Sequence, residues 1–350
     1  MKKIALIIAD LDLGGGQRVA INLAEAFAKR HQVTLIIFRD DEIHYQPSAN
    51  LVHLHCPEKQ GIPAKVYNVF KRATKLHQHF KQQQYDHIFS FMETANFPVA
   101  MASREAVVSV HCNPRKLLSF FEKLLVRLTY HRAKKVIAVS DDVADILRED
   151  YGLTRVARIY NPVNLDEIAK QTETPYQHPK PYMVALGRLN EVKRFDLLIE
   201  AYANSKAQQH CDLILIGDGE MRPSLEQQIT QLDLIDKVHL IGVKMNPYPY
   251  LAGAEFLVLS SRTEAFPMVL VEALATKCPV IATDCPTGPR EIVKQGKNGL
   301  LVENENTNAI TDAIDQLYFD QALQNAMRSN ALASIQHLSS DEIIKEWLEI

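Results

Sequence analysis

Eleven apolar runs of four to six residues alternate along the chain with longer helix-like segments, and this rhythm constrains the fold more than any other feature. In the first half the runs are IALIIA (4–9), VTLIIF (33–38), HIFSFM (87–92), AVVSVH (106–111) and VIAVS (136–140). The second half continues with YMVALG (182–187), DLILIG (212–217), VHLIG (238–242), FLVLSS (256–261), PVIAT (279–283) and GLLV (299–302). Strands this short, apolar on both faces and separated by helices, belong to parallel sheets covered on both sides. The expected class is therefore α/β, with two doubly wound, Rossmann-like domains. A Pro-rich polar stretch from Asn164 to Pro181 marks the break between them.

A length of 350 residues suits two such domains, and 47% hydrophobic with 23% charged residues excludes disordered and fibrous classes. No apolar run reaches the roughly 18–20 residues that cross a bilayer. The opening KKIALIIA reads as a buried first strand rather than a signal peptide. Five cysteines, odd in number and without a CxxC pair, suggest neither a disulfide framework nor a zinc site, so a cytoplasmic setting is expected. The histidines are scattered, and none has metal-ligand spacing to a partner. Charge is unevenly distributed: residues 1–163 hold 23 Lys and Arg against 16 Asp and Glu, whereas the remainder holds 16 against 26. Different partners for the two halves follow.

Several motifs fall where strands end, at the edge where ligands of such sheets bind. Gly14, Gly15 and Gly16 make a turn before a helix, able to hold an anion at the helix N-terminus or simply to turn the chain tightly. The motif is neither GxGxxG nor a P-loop, which disfavours a NAD enzyme. Asp10 and Asp12 form a DxD that could bind a metal, discounted because phosphate beside carboxylates would require a cation. Arg188 and Lys193, in GRLNEVKRF, are two cations that suit a diphosphate, or else solvated loop charges. GDGEMRPSLE (217–226) reads as a structural glycine turn. His111 closes a strand and is either functional or structural. In TEAFPMVLVEA (263–273), Pro267 is placed at the first position of a helix running Met268 to Lys277. Glu264 then lies in the entering loop and Glu272 on the helix, as a working pair or as two unrelated acids. Residues 115–135 carry seven Lys and Arg, among them Arg115, Lys116, Lys123, Arg127, Lys134 and Lys135, against one acid. Leucines recur there at three- and four-residue spacing, which makes a basic amphipathic helix that would lie at an anionic membrane or pack on the core. Nucleic acid is an unsuitable partner, because the stretch lacks interleaved aromatic platforms.

Together, SSRTEAFPMVLVEALATKCPVIATDCPTGPREIVKQGKNGLLVEN, GGGQRVAINLA, GRLNEVKRFDLLIEA, GDGEMRPSLE and IYNPVN resemble the retaining glycosyltransferases of family 4, which have the GT-B fold of two Rossmann-like domains facing across a cleft. The resemblance implies an acceptor-side domain over 1–163, a nucleotide-sugar domain over 164–335 and a final helix, 336–350, crossing back to the first. It implies that Glu264 lies by the donor sugar hydroxyls, Glu272 holds the ribose diol, and Arg188 and Lys193 neutralise the leaving diphosphate. Backbone groups of Phe266, Met268 and Val269 would hold sugar hydroxyls and phosphate, Val243 would meet the base, Gly15 and Gly16 would approach the donor phosphate, and His111 would stand beside the sugar 6-position. Gln17 departs from an acidic residue often found before Arg18. The implied reaction needs neither cofactor nor metal: a hexose or N-acetylhexosamine moves from a nucleotide sugar, expected to be UDP-linked, to a lipid-linked or surface-polysaccharide acceptor. A nonhydrolysing UDP-sugar epimerase of similar fold and a catalytically silent scaffold are the alternatives. A peripheral position on the cytoplasmic face of the membrane would suit the basic helix.

Overall fold

The computed structural model describes residues 1–12, 14–39, 49–57 and 61–350, so Leu13 of the first glycine turn lies outside the described residues. The chain forms two compact units, one of Met1–Val163 with Leu338–Ile350 and the other of Asn164–His337.

The first unit holds β1 (Lys3–Ile8), β2 (Gln32–Ile37), β3 (Asn50–His53), β4 (His87–Phe91), β5 (Ala106–Val110), β6 (Lys135–Ala138) and β7 (Val156–Arg158). They line up in the order β3-β2-β1-β4-β5-β6-β7, every pairing parallel. Ile4, Leu6, Ile7, Ile8, Phe89 and Phe91 are fully buried, because helices cover both faces. The C-terminal helix Ser340–Leu348 packs in this unit, where the Trp347 ring lies 4.9 Å from Phe89 and 5.7 Å from Phe91. The second unit holds β8 (Tyr182–Leu186), β9 (Asp212–Ile216), β10 (Val238–Leu240), β11 (Leu257–Leu259), β12 (Val280–Thr283) and β13 (Gly299–Val302). Their order is β10-β9-β8-β11-β12-β13, again parallel throughout, around a core that includes Met183, Leu198, Tyr202, Leu215 and Phe256.

All eleven apolar runs contain strands, most of them a residue or more shorter than the run. Two strands carry too little apolar contrast to stand out: β3 (NLVH) and β7 (VAR) are edge strands without a fully buried residue. The stretch 164–181 is not a plain linker. Asn164 caps a short helix, Leu165–Gln171, by accepting from the Glu167 N–H.

Three local expectations are corrected. The helix after the glycine turn begins at Gly15, with Gly14 as its extended N-cap, so Gly15 and Gly16 sit in the first helical turn. Pro267 is the N-cap of a helix spanning Met268–Ala275 rather than its first residue, and Lys277 lies beyond the end with φ at 61°. The basic stretch is not one helix. A turn, Pro114–Leu117, is followed by a break at Leu118 and Ser119, and a second helix runs Phe120–Thr129. Ser119 and Glu122 form a reciprocal capping box that starts the second helix, an N-terminal signal strong enough to interrupt the leucine periodicity. Lys135 is the first residue of β6.

Candidate active site

In a doubly wound sheet the connections diverge where strand order reverses, which opens a crevice at the carboxyl edge. In the second unit this reversal lies between β8 and β11. The loop after β8 carries Arg188 and Lys193, and the loop after β11 carries Glu264. Lys193 Nζ lies 2.6 Å from Glu264 Oε1, with the two side chains 23% and 12% exposed. Both loops are held firmly. The Lys193 N–H donates to Asn190 Oδ1 at 3.1 Å, the Ser260 hydroxyl donates to the Lys193 carbonyl at 2.8 Å, and the Arg262 N–H donates to the Val192 carbonyl at 2.8 Å. On the other side, the Glu264 N–H and the Thr263 hydroxyl both donate to the Pro286 carbonyl, and the Thr287 hydroxyl donates to the Glu264 carbonyl.

Arg188 stands differently. Its side chain is 72% exposed and its Nη2 is 3.4 Å from Glu220 Oε2, itself 58% exposed. A pair so open to water holds the guanidinium weakly, which leaves it able to swing onto an anion at little cost. The glycine turn at 217–219 supports this loop by backbone contact. A Cβ on Gly217 would lie 1.9 Å from the Gly187 carbonyl oxygen, and one on Gly219 would lie 2.4 Å from that of Leu189. The sequence reading of this turn as structural matches that geometry.

Helix Met268–Ala275 enters from the Glu264 loop; the Leu270 N–H donates to the Pro267 carbonyl at 3.0 Å, and the Met268 and Val269 N–H groups have no acceptor within the helix. Phe266 and Met268 are buried, Val269 is half-buried, and Glu272 is buried on the helix with its side chain engaged. Val243, just beyond β10, is 52% exposed. Glu264, Phe266, Met268, Val269 and Glu272 thus share one loop and helix, Lys193 joins them through its ion pair, and Arg188 leaves the same loop as Lys193.

In the first unit the reversal lies between β1 and β4. A Cβ on Gly16 would lie 2.6 Å from Met92 Sδ, so the helix starts close against the side chain that follows β4. Asp10 Oδ2 accepts from Arg39 at 2.6 Å, and Oδ1 accepts from Gln17 at 2.8 Å and from the Asp12 N–H at 3.3 Å. Burial opposes ionisation of Asp10, yet these hydrogen bonds hold its carboxyl below the ordinary value. Gln17, out of pattern in the sequence, therefore has a role in orienting Asp10.

His111 follows β5, its ring 5.8 Å from Phe91 and its Nε2 buried without a hydrogen-bond partner. Burial pushes the imidazolium down to about 4, so the ring is neutral near pH 7. The sequence reading missed a second buried group of this unit. Glu93, two residues after β4 and first in the helix Glu93–Ala102, has a buried Oε1 without a partner, and burial pushes its carboxyl up to about 7. Burial also raises the neighbouring Cys112 and Tyr130 well above their ordinary values. The strand-end rule that singled out His111 would have found Glu93 as well.

The basic residues divide into two kinds. Arg115 is consumed by Asp150, at 2.6 and 2.8 Å, and by Glu149 at 3.1 Å, so it is a structural ion pair rather than a free membrane-facing charge. Lys123 donates to the Arg115 carbonyl and Arg127 to that of Asp150, while Lys116 and Lys134 are exposed. Leu117, Phe120, Leu124 and Leu128 are 45%, 87%, 43% and 63% exposed. An apolar row therefore faces outward between the cations.

Two family models match in succession: glycosyltransferase family 4 over residues 13–167 and glycosyl transferases group 1 over 166–333. The chain belongs to the family 4 glycosyltransferases. An N-acetylgalactosaminyltransferase of Campylobacter jejuni, named for its N-acetylgalactosamine-N,N'-diacetylbacillosaminyl-diphospho-undecaprenol acceptor, is 27% identical to this family 4 enzyme over 100% of the chain and 99% of the relative. Among solved structures, sucrose-phosphate synthase from Thermosynechococcus elongatus superposes with a TM-score of 0.85 at 19% identity, covering 100% of this chain and 98% of that one. Anabaena Alr3699/HepE, solved with UDP and glucose, gives 0.81 at 22% identity, covering 100% and 99%. These likenesses give the glycosyltransferase the GT-B fold. Among the described residues no helix is long and apolar enough to cross a membrane.

Proposed function

We propose that this glycosyltransferase moves a hexose or N-acetylhexosamine, with retention, from a UDP-sugar to a lipid-linked or polysaccharide acceptor. The observation that carries the proposal is the Lys193–Glu264 pair at the strand-order reversal of the second unit, with the exposed Arg188 on the same loop. Leaving-group departure puts negative charge on the β-phosphate, and fixed cations there lower the barrier without reorganising. Lys193 supplies the fixed charge and Arg188 a second that folds in on the diphosphate. The N–H groups opening helix Met268–Ala275 add the positive end of a helix dipole. Glu264, anchored by Lys193, reads the sugar hydroxyls, and Glu272 takes the ribose. His111, neutral at working pH, exchanges hydrogen bonds with a sugar hydroxyl rather than supplying charge. No step of this scheme calls for a metal ion. The acceptor class rests on the Campylobacter relative and its undecaprenol-linked acceptor. The exposed apolar row Leu117, Phe120, Leu124 and Leu128 with Lys116, Lys123 and Arg127 suits the surface of an anionic bilayer, where such acceptors reside.

The test is release of nucleotide from a panel of UDP- and GDP-sugars, with and without a membrane lipid extract. Acceptor-dependent release of UDP supports the proposal. Epimerised donor without release, or no turnover with any pair, overturns it.

A further inference from the structure

The sequence spacing of the histidines offers no metal site, but the fold brings two of them onto one carboxylate. Asp212 is the first residue of β9, and His239 is the middle residue of β10. His239 pairs in register with Ile214, two residues beyond Asp212. Strand side chains repeat every two residues, so His239 and Asp212 share a face as diagonal neighbours, within reach of a long side chain. His178 comes from the segment entering β8, the strand on the other side of β9. Its Nε2 lies 2.9 Å from Asp212 Oδ2, and the Nε2 of His239 lies 3.3 Å from the same oxygen. The three atoms all fall within 4.8 Å of one another.

We infer that His178, Asp212 and His239 bind one divalent transition-metal ion of the zinc class, with water completing the coordination. Ligands about 2.0–2.2 Å from a tetrahedral zinc are about 3.3 Å apart, so the three atoms need only small rearrangement to receive it. Two imidazoles and one carboxylate select zinc-class ions over Mg²⁺ and Ca²⁺, which prefer oxygen throughout. The Asp212 side chain is 6% exposed and that of His178 is 12%, so an ion here would sit in a site of low dielectric, facing an acid that compensates its charge. The His178 ring is fixed edge-on to Tyr182 at 5.7 Å and lies 5.2 Å from the ring of His239. Lys180 reaches Asp212 Oδ1 only at 3.5 Å and is 54% exposed, so it can withdraw. His178 also lines a cavity of about 330 Å³ formed by residues 176–182 and Gly253, which leaves room beside its ring.

The location decides what the ion does. Asp212 opens its strand, whereas Arg188, Lys193 and Glu264 follow the carboxyl ends of theirs, so this site lies at the opposite edge of the sheet. The ion would pin the segment entering β8 to β9 and β10, adding a cross-link to the second unit and taking no part in glycosyl transfer. The inference is independent of the proposed donor and acceptor.

The untagged full chain, stripped with a chelator, is titrated with Zn²⁺ in competition with a chromogenic chelator. One equivalent should bind and raise the Tm, and Mg²⁺ should do neither. Co²⁺ should give the visible absorption of a tetrahedral complex. His239→Gln, at a half-buried position that tolerates a polar side chain, should lose saturable Zn²⁺ binding and the Tm increase, as should His178→Gln, while both keep the far-UV spectrum of the parent. Absence of one-equivalent binding in the parent overturns the inference. So does undiminished binding in the folded His178→Gln/His239→Gln double variant.

Discussion

At the scale of single residues, Lys193 and Glu264 are separated by 71 positions, yet their ion pair is the centre of the proposed donor site. The sequence marks each as a charged group at a strand end, but only the strand order makes them partners. Lys193→Ala removes fixed positive charge from the leaving group and is expected to lower kcat by about 10²–10³, comparable to loss of one oxyanion donor. Steady-state kinetics with saturating donor measures this. Glu264→Gln should mainly lower kcat, whereas Glu272→Gln should mainly weaken nucleotide binding, read by titration with UDP. Equal effects of both variants on both parameters would contradict the division between sugar and ribose. Gly217, with φ at 142° and the Gly187 carbonyl against its missing Cβ, has no room for a side chain. Gly217→Ala should cost more than about 2 kcal/mol in urea unfolding, because backbone strain and a backbone clash add.

At the scale of elements, the helix Phe120–Thr129 shows how a local signal can override periodicity. The leucine spacing is continuous across residues 117–128, but the Ser119 and Glu122 box resets the phase, and the apolar row that results faces outward. The proposed membrane contact would depend on Phe120 and Leu128 at least as much as on the cations, since Arg115 is already paired with Asp150. Phe120→Ser with Leu128→Ser should reduce sedimentation with vesicles of anionic lipid while leaving the fold intact. Unchanged sedimentation would remove the helix as the docking element. The capping box is legible in the sequence as SFFE, though a reading led by leucine spacing passes over it.

At the scale of the whole molecule, the two halves differ in charge, and the first holds two buried groups whose pH dependences oppose each other. In the first unit, Glu93 and His111 have opposite tendencies. Glu93 keeps its proton up to about 7 when folded but loses it near 4.5 when unfolded, so its contribution to stability falls as pH rises between those values. His111 resists protonation down to about 4 when folded but takes a proton near 6.5 when unfolded, so its contribution falls as pH drops through that window. The two nearly cancel between pH 4.5 and 6.5. Glu93→Gln should unmask a stability that rises with pH across that range, and His111→Gln one that falls, both read as urea midpoints. Parallel pH profiles for the two variants would show that neither group is shifted.

By itself the sequence determined the class of fold, eleven of the thirteen strands and the loops that carry Arg188, Lys193 and Glu264, because burial on both faces writes itself into short apolar runs and strand ends are where such sheets bind. Tertiary structure alone decided which of those residues meet. Strand order sets who is adjacent, and no local pattern encodes it: it joined Lys193 to Glu264, and it set His239 beside Asp212, which His178 meets from the next strand's approach. The edge strands β3 and β7 went unread for a related reason, since their half-exposed residues carry little of the apolar signal that marked the others.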